Sequence, residues 1–138
     1  MTATANTNIL IGDESSEIIR GGTGVVSFLS GSGGNDTIIG AINAIAPGST
    51  LDGGAGNDSL VGDGIGDIVL GGAGNDTLIS ESGRASLIGG AGNDVLFGLD
   101  SETTVYGGVG NDTITFTDES NIAYGEDGND VIIGRRGR

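Results

Sequence analysis

Aliphatic residues recur at a fixed place in a unit of nine residues along most of this chain. The unit is clearest in residues 71–79, which read Gly-Gly-Ala-Gly-Asn-Asp-Thr-Leu-Ile. Its first six residues favour turns, because glycine and asparagine tolerate unusual backbone conformations, and its last three favour extended backbone. Each unit is therefore predicted to be a turn followed by a short β-strand.

The eighth residue of the unit is predicted to point into the core, because the middle side chain of a three-residue strand faces opposite to its two neighbours. The residues at this place are Ile38, Leu51, Leu60, Val69, Leu78, Leu87, Leu96, Val105, Ile114, Ala123 and Ile132. Two less regular units precede them. We expect Ile19 to point inward in residues 12–20, and Phe28 in the ten-residue unit 21–30.

Six units follow the pattern closely, and they begin at Gly31, Gly53, Gly71, Gly89, Gly107 and Gly125. The last five are 18 residues apart, and a weaker unit lies between each pair. Two units thus make one coil. Consecutive coils stack about 4.8 Å apart, and their strands form two facing parallel sheets. We predict an all-β fold, a right-handed parallel β-roll (β-solenoid) of about seven 18-residue rungs, with the good turns on one edge.

The predicted organisation is an N-terminal cap at residues 1–11, the roll at residues 12–133 and a basic tail at residues 134–138. Four extra residues in the unit after Gly40, which contains Pro47, are expected to form a bulged loop. Arg135, Arg136 and Arg138 are expected to block aggregation at an open end of the roll, with binding of an anionic partner as the alternative.

The amino-acid composition limits the partners and the metal ligands that the chain can have. The chain has 30 glycines and one proline among 138 residues, with 4% aromatic residues, so its core is thin. The formal net charge of −14 argues against nucleic acid as a partner and favours a cation. The absence of histidine and cysteine excludes disulfides, thiolate sites and the commonest general base, and leaves oxygen as the metal ligand. No apolar run predicts insertion into a membrane, and the start does not read as a signal peptide.

The sixth residue of every good unit is an aspartate, so the roll stacks six carboxylates in one row. They are Asp36, Asp58, Asp76, Asp94, Asp112 and Asp130. Neighbouring carboxylates about 5 Å apart repel one another, so the row needs a bound cation. Turns of small residues direct several backbone carbonyls to one point, and about six hard oxygen ligands suit calcium better than magnesium.

The repeated Gly-Gly-x-Gly-x-Asp-x-aliphatic-x unit resembles the calcium-binding nonapeptide of the repeats-in-toxin (RTX) family, over about 120 of the 138 residues. The resemblance implies that each ion lies between two turns one coil apart, bound by the sixth-place aspartate of each, which gives about five calcium ions in one row. It also implies backbone carbonyl ligands from Gly31, Gly33, Gly53, Gly54, Ala55, Gly56, Gly71, Gly72, Ala73, Gly74, Gly89, Gly90, Ala91, Gly92, Gly107, Gly108, Val109, Gly110, Glu126 and Gly128.

The other edge departs from the family pattern, because its turns have lost the sixth-place aspartate except at Asp67. We expect the ions in one row only. Whether Glu17, at the aspartate place of an irregular turn, adds a site stays open. The asparagine before each aspartate is expected to be structural, in a left-handed backbone conformation.

These observations predict a calcium-binding β-roll that folds on binding calcium and is a structural or folding module of a secreted or cell-surface protein, exported without an N-terminal signal peptide. No catalytic constellation is recognisable, so we expect no enzyme activity. Two alternatives stay open. One is a binding module whose flat sheet face docks on a protein, a polysaccharide or, less favoured, ice, and the other is an accessory module of a larger secreted enzyme or toxin.

Overall fold

The structure is a computed structural model, and it describes residues 8–42, 48–118 and 120–134. These residues form 14 short β-strands and no helix, so they contain no helix that could cross a membrane. The strands are β1 (Asn8–Ile11), β2 (Ile18–Arg20), β3 (Ser27–Ser30), β4 (Thr37–Ile39), β5 (Thr50–Ala55), β6 (Ser59–Gly62), β7 (Ile68–Ala73), β8 (Thr77–Ser80), β9 (Ser86–Ala91), β10 (Val95–Gly98), β11 (Thr104–Val109), β12 (Thr113–Phe116), β13 (Ile122–Asp127) and β14 (Val131–Gly134).

The strands build two seven-stranded parallel sheets. The odd-numbered strands form one sheet in the order β1-β3-β5-β7-β9-β11-β13, and the even-numbered strands form the other. Each strand pairs with the strands one coil away, as in the register Leu60↔Leu78 and Leu78↔Leu96. The prediction of an all-β parallel roll of about seven rungs is confirmed.

The core lies between the two sheets and consists of aliphatic side chains from both, together with Phe116. Nine of the predicted inward residues, from Ile38 to Ile114, are fully buried, and Ile19 is 8% exposed. Ala123 packs against this core and is partly buried. Ile132 is in register with the buried Ile114 but is 50% exposed, because β14 is the edge strand of its sheet and no further rung covers it within the described residues.

The prediction that Phe28 points inward is wrong. Phe28 is 38% exposed, whereas Leu29 is fully buried and pairs with the core residue Leu51. The unit 21–30 has ten residues, and its extra residue lies before Phe28, which is in register with Thr50. A shift of one residue turns every side chain of a strand to the opposite face.

The turns lie on two edges. We call the edge where odd-numbered strands lead into even-numbered strands the first edge, and the opposite one the second edge. All six good turns, from residues 31–36 to residues 125–130, lie on the first edge, and the irregular turn 12–17 precedes them there. The predicted bulge around Pro47, residues 1–7 of the predicted cap and the three arginines of the tail lie outside the described residues. Residues 8–11 of that cap form the edge strand β1.

Candidate metal centre

The aspartates of the first edge form one buried row beside the core. Asp36, Asp58, Asp76, Asp94 and Asp112 are between 1% and 3% exposed, and Asp130 in the last turn is partly exposed. Each aspartate directly precedes an even-numbered strand, so the register of the sheet stacks one carboxylate above the next. The structure therefore brings together all six aspartates that the sequence singled out.

One carboxylate oxygen of each aspartate is tied to the turn before it. The Asp58 backbone N–H donates to Asp76 Oδ1 over 2.8 Å, and the Asp76 N–H donates to Asp94 Oδ1 over 2.8 Å. The same bond joins the other consecutive pairs of the row, up to Asp112 and Asp130. The Oδ1 atom therefore faces the preceding turn.

The second carboxylate oxygen has no hydrogen-bond partner. The Oδ2 atoms concerned belong to Asp36, Asp58, Asp76, Asp94 and Asp112, and all five are buried. A buried charged oxygen without a partner is costly, because it has lost its hydration without compensation. Five such atoms in a row indicate a place for a ligand.

Glycine at the first place of each turn leaves space beside the Oδ2 atom because it has no Cβ. A Cβ atom at Gly53 would run into Asp58 Oδ2 and would lie 2.6 Å from the Gly71 carbonyl oxygen. The same pair of neighbours, a carboxylate of the same turn and a carbonyl of the next turn, occurs at Gly31 and Gly107. The unpaired Oδ2 therefore faces the following turn, next to a backbone carbonyl.

Each space between consecutive good turns is thus bordered by oxygen atoms from both turns. Asp58 Oδ2, the Gly71 carbonyl and Asp76 Oδ1 border one of them. Within the part of the chain that the structure describes, no three carboxylate side chains converge on one point, so backbone carbonyls must supply much of any coordination. Carboxylates combined with carbonyls are the donors that calcium prefers, and the residues present fit this ion.

Burial changes the acidity of the row. It raises the pKa of Asp58, Asp94 and Asp112 above the ordinary value, and it raises the pKa of Asp76 to about 6. Backbone hydrogen bonds from the preceding turn oppose this rise, and neighbouring carboxylates of the row add to it. Without a cation, the fold therefore makes these groups harder to ionise than they are in the unfolded chain.

The predicted carbonyl ligands are divided among three directions. First-place carbonyls such as that of Gly71 face the aspartate row. Second- and fourth-place carbonyls, such as those of Gly54 and Gly56, lie against the equivalent glycines of the next turn. Third-place carbonyls, such as that of Ala73, accept a backbone N–H from the turn before.

Sequence reasoning omitted the carbonyl of Gly125. It lies beside Gly107 and Asp112 Oδ2, in the same arrangement as the Gly71 carbonyl beside Gly53. The 18-residue spacing was the signal that would have identified it, because Gly125 occupies the first place of the last good turn.

The expectation of left-handed asparagines is wrong. The residues with positive φ in the good turns are at the second and fourth places, as at Gly72 (110°) and Gly74 (135°), and the asparagines are not among them. Instead, the Asn75 N–H donates to Asn57 Oδ1 over 2.7 Å, and this bond recurs between asparagines along the edge. The asparagines thus form a neutral ladder beside the aspartate row.

The second edge keeps the inter-turn bond but not the charge. At the sixth place, the Ser27 N–H donates to Ser49 Oγ over 3.1 Å, and the Thr103 N–H donates to Asn121 Oδ1 over 2.8 Å. The exception is Asp67, which is fully buried, and burial raises its pKa. Both of its oxygens accept backbone N–H groups, Oδ1 from Ser49 and Oδ2 from Gly64.

The outer face of the odd-numbered sheet carries a row of large apolar and aromatic residues. In the odd-numbered sheet, Leu70, Ile88, Tyr106 and Tyr124 stand in one row. The rings of Tyr106 and Tyr124 stack on each other, with their centres 5.0 Å apart and their planes 11° from parallel. Docking through this face stays a prediction.

Comparison with known proteins identifies one family. The model of the RTX calcium-binding nonapeptide repeat matches in four copies, at residues 27–42, 49–78, 80–114 and 117–138. Neither the curated proteins nor the solved structures contain a match to the chain.

Proposed function

Because this chain belongs to the RTX calcium-binding nonapeptide-repeat family, we propose that it is a calcium-binding β-roll whose folding depends on the ion. The observation that carries the proposal is the row of five buried, unpaired Oδ2 atoms on the first edge. Each of them faces the following turn beside a first-place carbonyl. The aspartates and these carbonyls are the proposed ligands, in about five sites that follow one another along the row.

Each central aspartate takes part in two sites under this proposal. Its Oδ1 atom faces the preceding turn and its Oδ2 atom faces the following turn, as Asp76 illustrates. The second- and fourth-place glycines let consecutive turns approach closely enough for this sharing, because a Cβ at Gly74 would overlap the Gly56 carbonyl oxygen. Calcium would supply positive charge and coordination to oxygens that have no other partner.

Calcium binding and folding are coupled because few interactions stabilise the calcium-free roll. Its core is one aliphatic residue per strand, and its row of carboxylates is mutually repulsive and poorly hydrated. Five calcium ions carry a charge of +10, which would reduce the formal net charge from −14 to about −4. A site that exists only in the folded chain converts binding free energy into folding free energy.

The proposed setting is outside the cell, where the chain serves as a structural or folding module of a secreted or cell-surface protein. Extracellular calcium-binding modules work with dissociation constants of about 10⁻⁴ to 10⁻³ M. A roll with this affinity would be unfolded at low calcium and would fold where calcium is abundant. We propose no catalytic role for the chain.

Circular dichroism in a calcium titration tests the proposal. In chelator the chain should be largely disordered, and calcium should produce the strand signal cooperatively, whereas magnesium at the same concentration should not. Equal strand content in chelator and in calcium would contradict the coupling of binding to folding. Equilibrium dialysis should count about five ions, and a chain that binds none would refute the function itself.

A further inference from the structure

The turn 12–17 stacks on the first good turn, although its sequence, Gly-Asp-Glu-Ser-Ser-Glu, lacks the glycine pattern and ends in glutamate. The matched repeats begin at residue 27 and leave this turn out. We propose that a further calcium ion binds between this turn and the turn 31–36, with oxygens of Glu17, Gly31 and Asp36 as ligands. This inference rests on the proposed function of the aspartate row.

Glu17 makes the backbone contact that defines the row. Its N–H donates to Asp36 Oδ1 over 2.8 Å, just as the Asp36 N–H donates to Asp58 Oδ1 over 2.7 Å. Asp36 is 2% exposed, and its Oδ2 atom is one of the unpaired oxygens that face the next turn. The contact to Glu17 gives Asp36 the same two-sided position as the central aspartates.

The side chain of Glu17 also repeats the arrangement of the other sites. Its Oε2 atom is buried and has no hydrogen-bond partner, like the five Oδ2 atoms. A Cβ atom at Gly12 would run into Glu17 Oε2 and would lie 2.6 Å from the Gly31 carbonyl oxygen. A carboxylate oxygen without a partner therefore lies beside a first-place carbonyl of the next turn here as well.

A different backbone explains why a glutamate reaches this place. The good turns have positive φ at their second and fourth residues, but no residue from 12 to 17 has positive φ. The chain thus follows another path through this turn, and the extra methylene of glutamate brings its oxygen to the position that an aspartate oxygen takes elsewhere. The family pattern misses the site because it requires both the glycines and the aspartate.

Neighbouring carboxylates give the site additional negative charge. The Ser15 hydroxyl oxygen lies 2.6 Å from Asp13 Oδ1 and 2.6 Å from Glu17 Oε1, although its single proton can satisfy only one of them. Glu14 lies close to the next turn, because a Cβ atom added at Gly33 would be 2.6 Å from Glu14 Oε2. A divalent cation would relieve the repulsion in this cluster, and a neutral ligand would not.

The test counts calcium ions in the full chain by equilibrium dialysis. Glu17→Gln keeps the size of the side chain but removes its charge, and it should bind one ion fewer than the wild type. Glu81→Gln is the matched control, because Glu81 is exposed in a turn of the second edge, and it should bind as many ions as the wild type. A calcium-grown crystal of the wild type should show an anomalous peak between Glu17 and the Gly31 carbonyl.

The two readouts separate this inference from the proposed function. If the wild type binds calcium but Glu17→Gln loses no ion, or if the crystal has ions in the aspartate row and none beside Glu17, then Glu17 only caps the row and the inference is wrong. If the wild type binds no calcium, the proposed function fails as well. If Glu17→Gln does not fold, the anomalous map of the wild type decides.

Discussion

The two edges of this roll have the same spacing and opposite chemistry. On the first edge, the sixth-place residue is a buried aspartate that accepts one backbone N–H and keeps one oxygen unpaired. On the second edge, apart from Asp67, serine or asparagine makes the same inter-turn bond without a charge. The comparison separates two roles of the sixth residue. The hydrogen bond between turns needs only an acceptor, whereas the unpaired oxygen makes no hydrogen bond that stabilises the fold.

The turns of the second edge have a different backbone conformation from the turns of the first edge and are not degenerate copies of them. The left-handed residues of the second edge occupy the fifth place, as at Gly66, Arg84 and Glu102, instead of the second and fourth places. Apart from Asp67, its interior is filled by neutral side chains, including Ala85 (2% exposed) and Phe116 (6% exposed). Phe116 packs over Gly98, where a Cβ would lie 2.7 Å from the phenyl ring. Apolar side chains thus occupy part of the second edge, whereas a row of carboxylates lines the first.

The largest expected difference in stability is between substitutions of one glycine on each edge. A Cβ at Gly74 would overlap the Gly56 carbonyl oxygen at a φ of 135°, so Gly74→Ala should cost more than about 2 kcal/mol or prevent folding. Gly66 has a φ of 78° and its nearest neighbour is 3.7 Å from a Cβ, so Gly66→Asn should cost less than about 1 kcal/mol. Urea unfolding in saturating calcium measures both changes. Equal losses would mean that the two edges are not built differently.

The next contrast compares two buried aspartates after the same substitution. Asp94→Asn keeps the acceptor for the Asp76 N–H but removes the ligand charge, and each weakened site should cost about 1 to 3 kcal/mol. Asp67→Asn places an amide NH₂ against the Gly64 N–H, which costs about 1 kcal/mol and releases no ion. Equilibrium dialysis with calcium distinguishes them. Loss of an ion in Asp67→Asn would place metal on the second edge.

A smaller difference is expected within the first edge itself. Asp94 faces two spaces between turns, whereas Asp130 is the last of the row and faces only the space shared with Asp112. Asp94→Ala should therefore raise the calcium midpoint of folding more than Asp130→Ala, by the equivalent of one further site or about 1 to 3 kcal/mol. A titration followed by circular dichroism provides the midpoints. The same midpoint for both variants would rule out the sharing of aspartates between sites.

The smallest expected effect is a dependence on pH without calcium. The fold raises the pKa of Asp76 to about 6, so the folded chain holds protons more tightly than the unfolded chain. The resulting stabilisation is complete below the unfolded pKa near 3.8 and is lost as the pH rises through about 6. Calcium-free protein should thus show more strand signal at pH 5 than at pH 7.5.

A control variant on each edge locates the source of this pH effect. Asp76→Asn should reduce the difference between pH 5 and pH 7.5, because the substitution removes the group with the pKa near 6. Asp67→Asn should leave most of it, since three further raised carboxylates remain with Asp76 on the first edge. An unchanged signal in the wild type between the two pH values would show that burial does not penalise these charges in solution.

The period of the sequence was enough to predict the roll, its edges and its core. An 18-residue repeat allows few alternatives, because it places Leu60, Leu78 and Leu96 in one column whatever the turns do. The error at Phe28 arose where the period breaks, since a ten-residue unit does not reveal whether its extra residue lies in the strand or in the turn. Packing against Leu51 decided that Leu29 is the inward residue.

The residues of the candidate site were also predictable, but the direction of each oxygen was not. Spacing stacks the aspartates, yet it cannot tell that Oδ1 of Asp76 faces the preceding turn and Oδ2 the following one. The role of the asparagines was missed for a related reason. Their bond to the next turn depends on two chain segments, whereas a left-handed conformation is a property of one residue. Glu17 joins the row through the same kind of contact between turns.

Pairing of each strand with the coils directly above and below has a mechanical consequence. Tension between the two termini meets the hydrogen bonds of one coil at a time, because each described strand belongs to a single coil. An 18-residue coil occupies about 4.8 Å of the rod but spans about 60 Å when pulled straight. Each 18-residue coil that peels away therefore releases a length of chain more than ten times the height of the coil, and these coils would yield to force in equal steps.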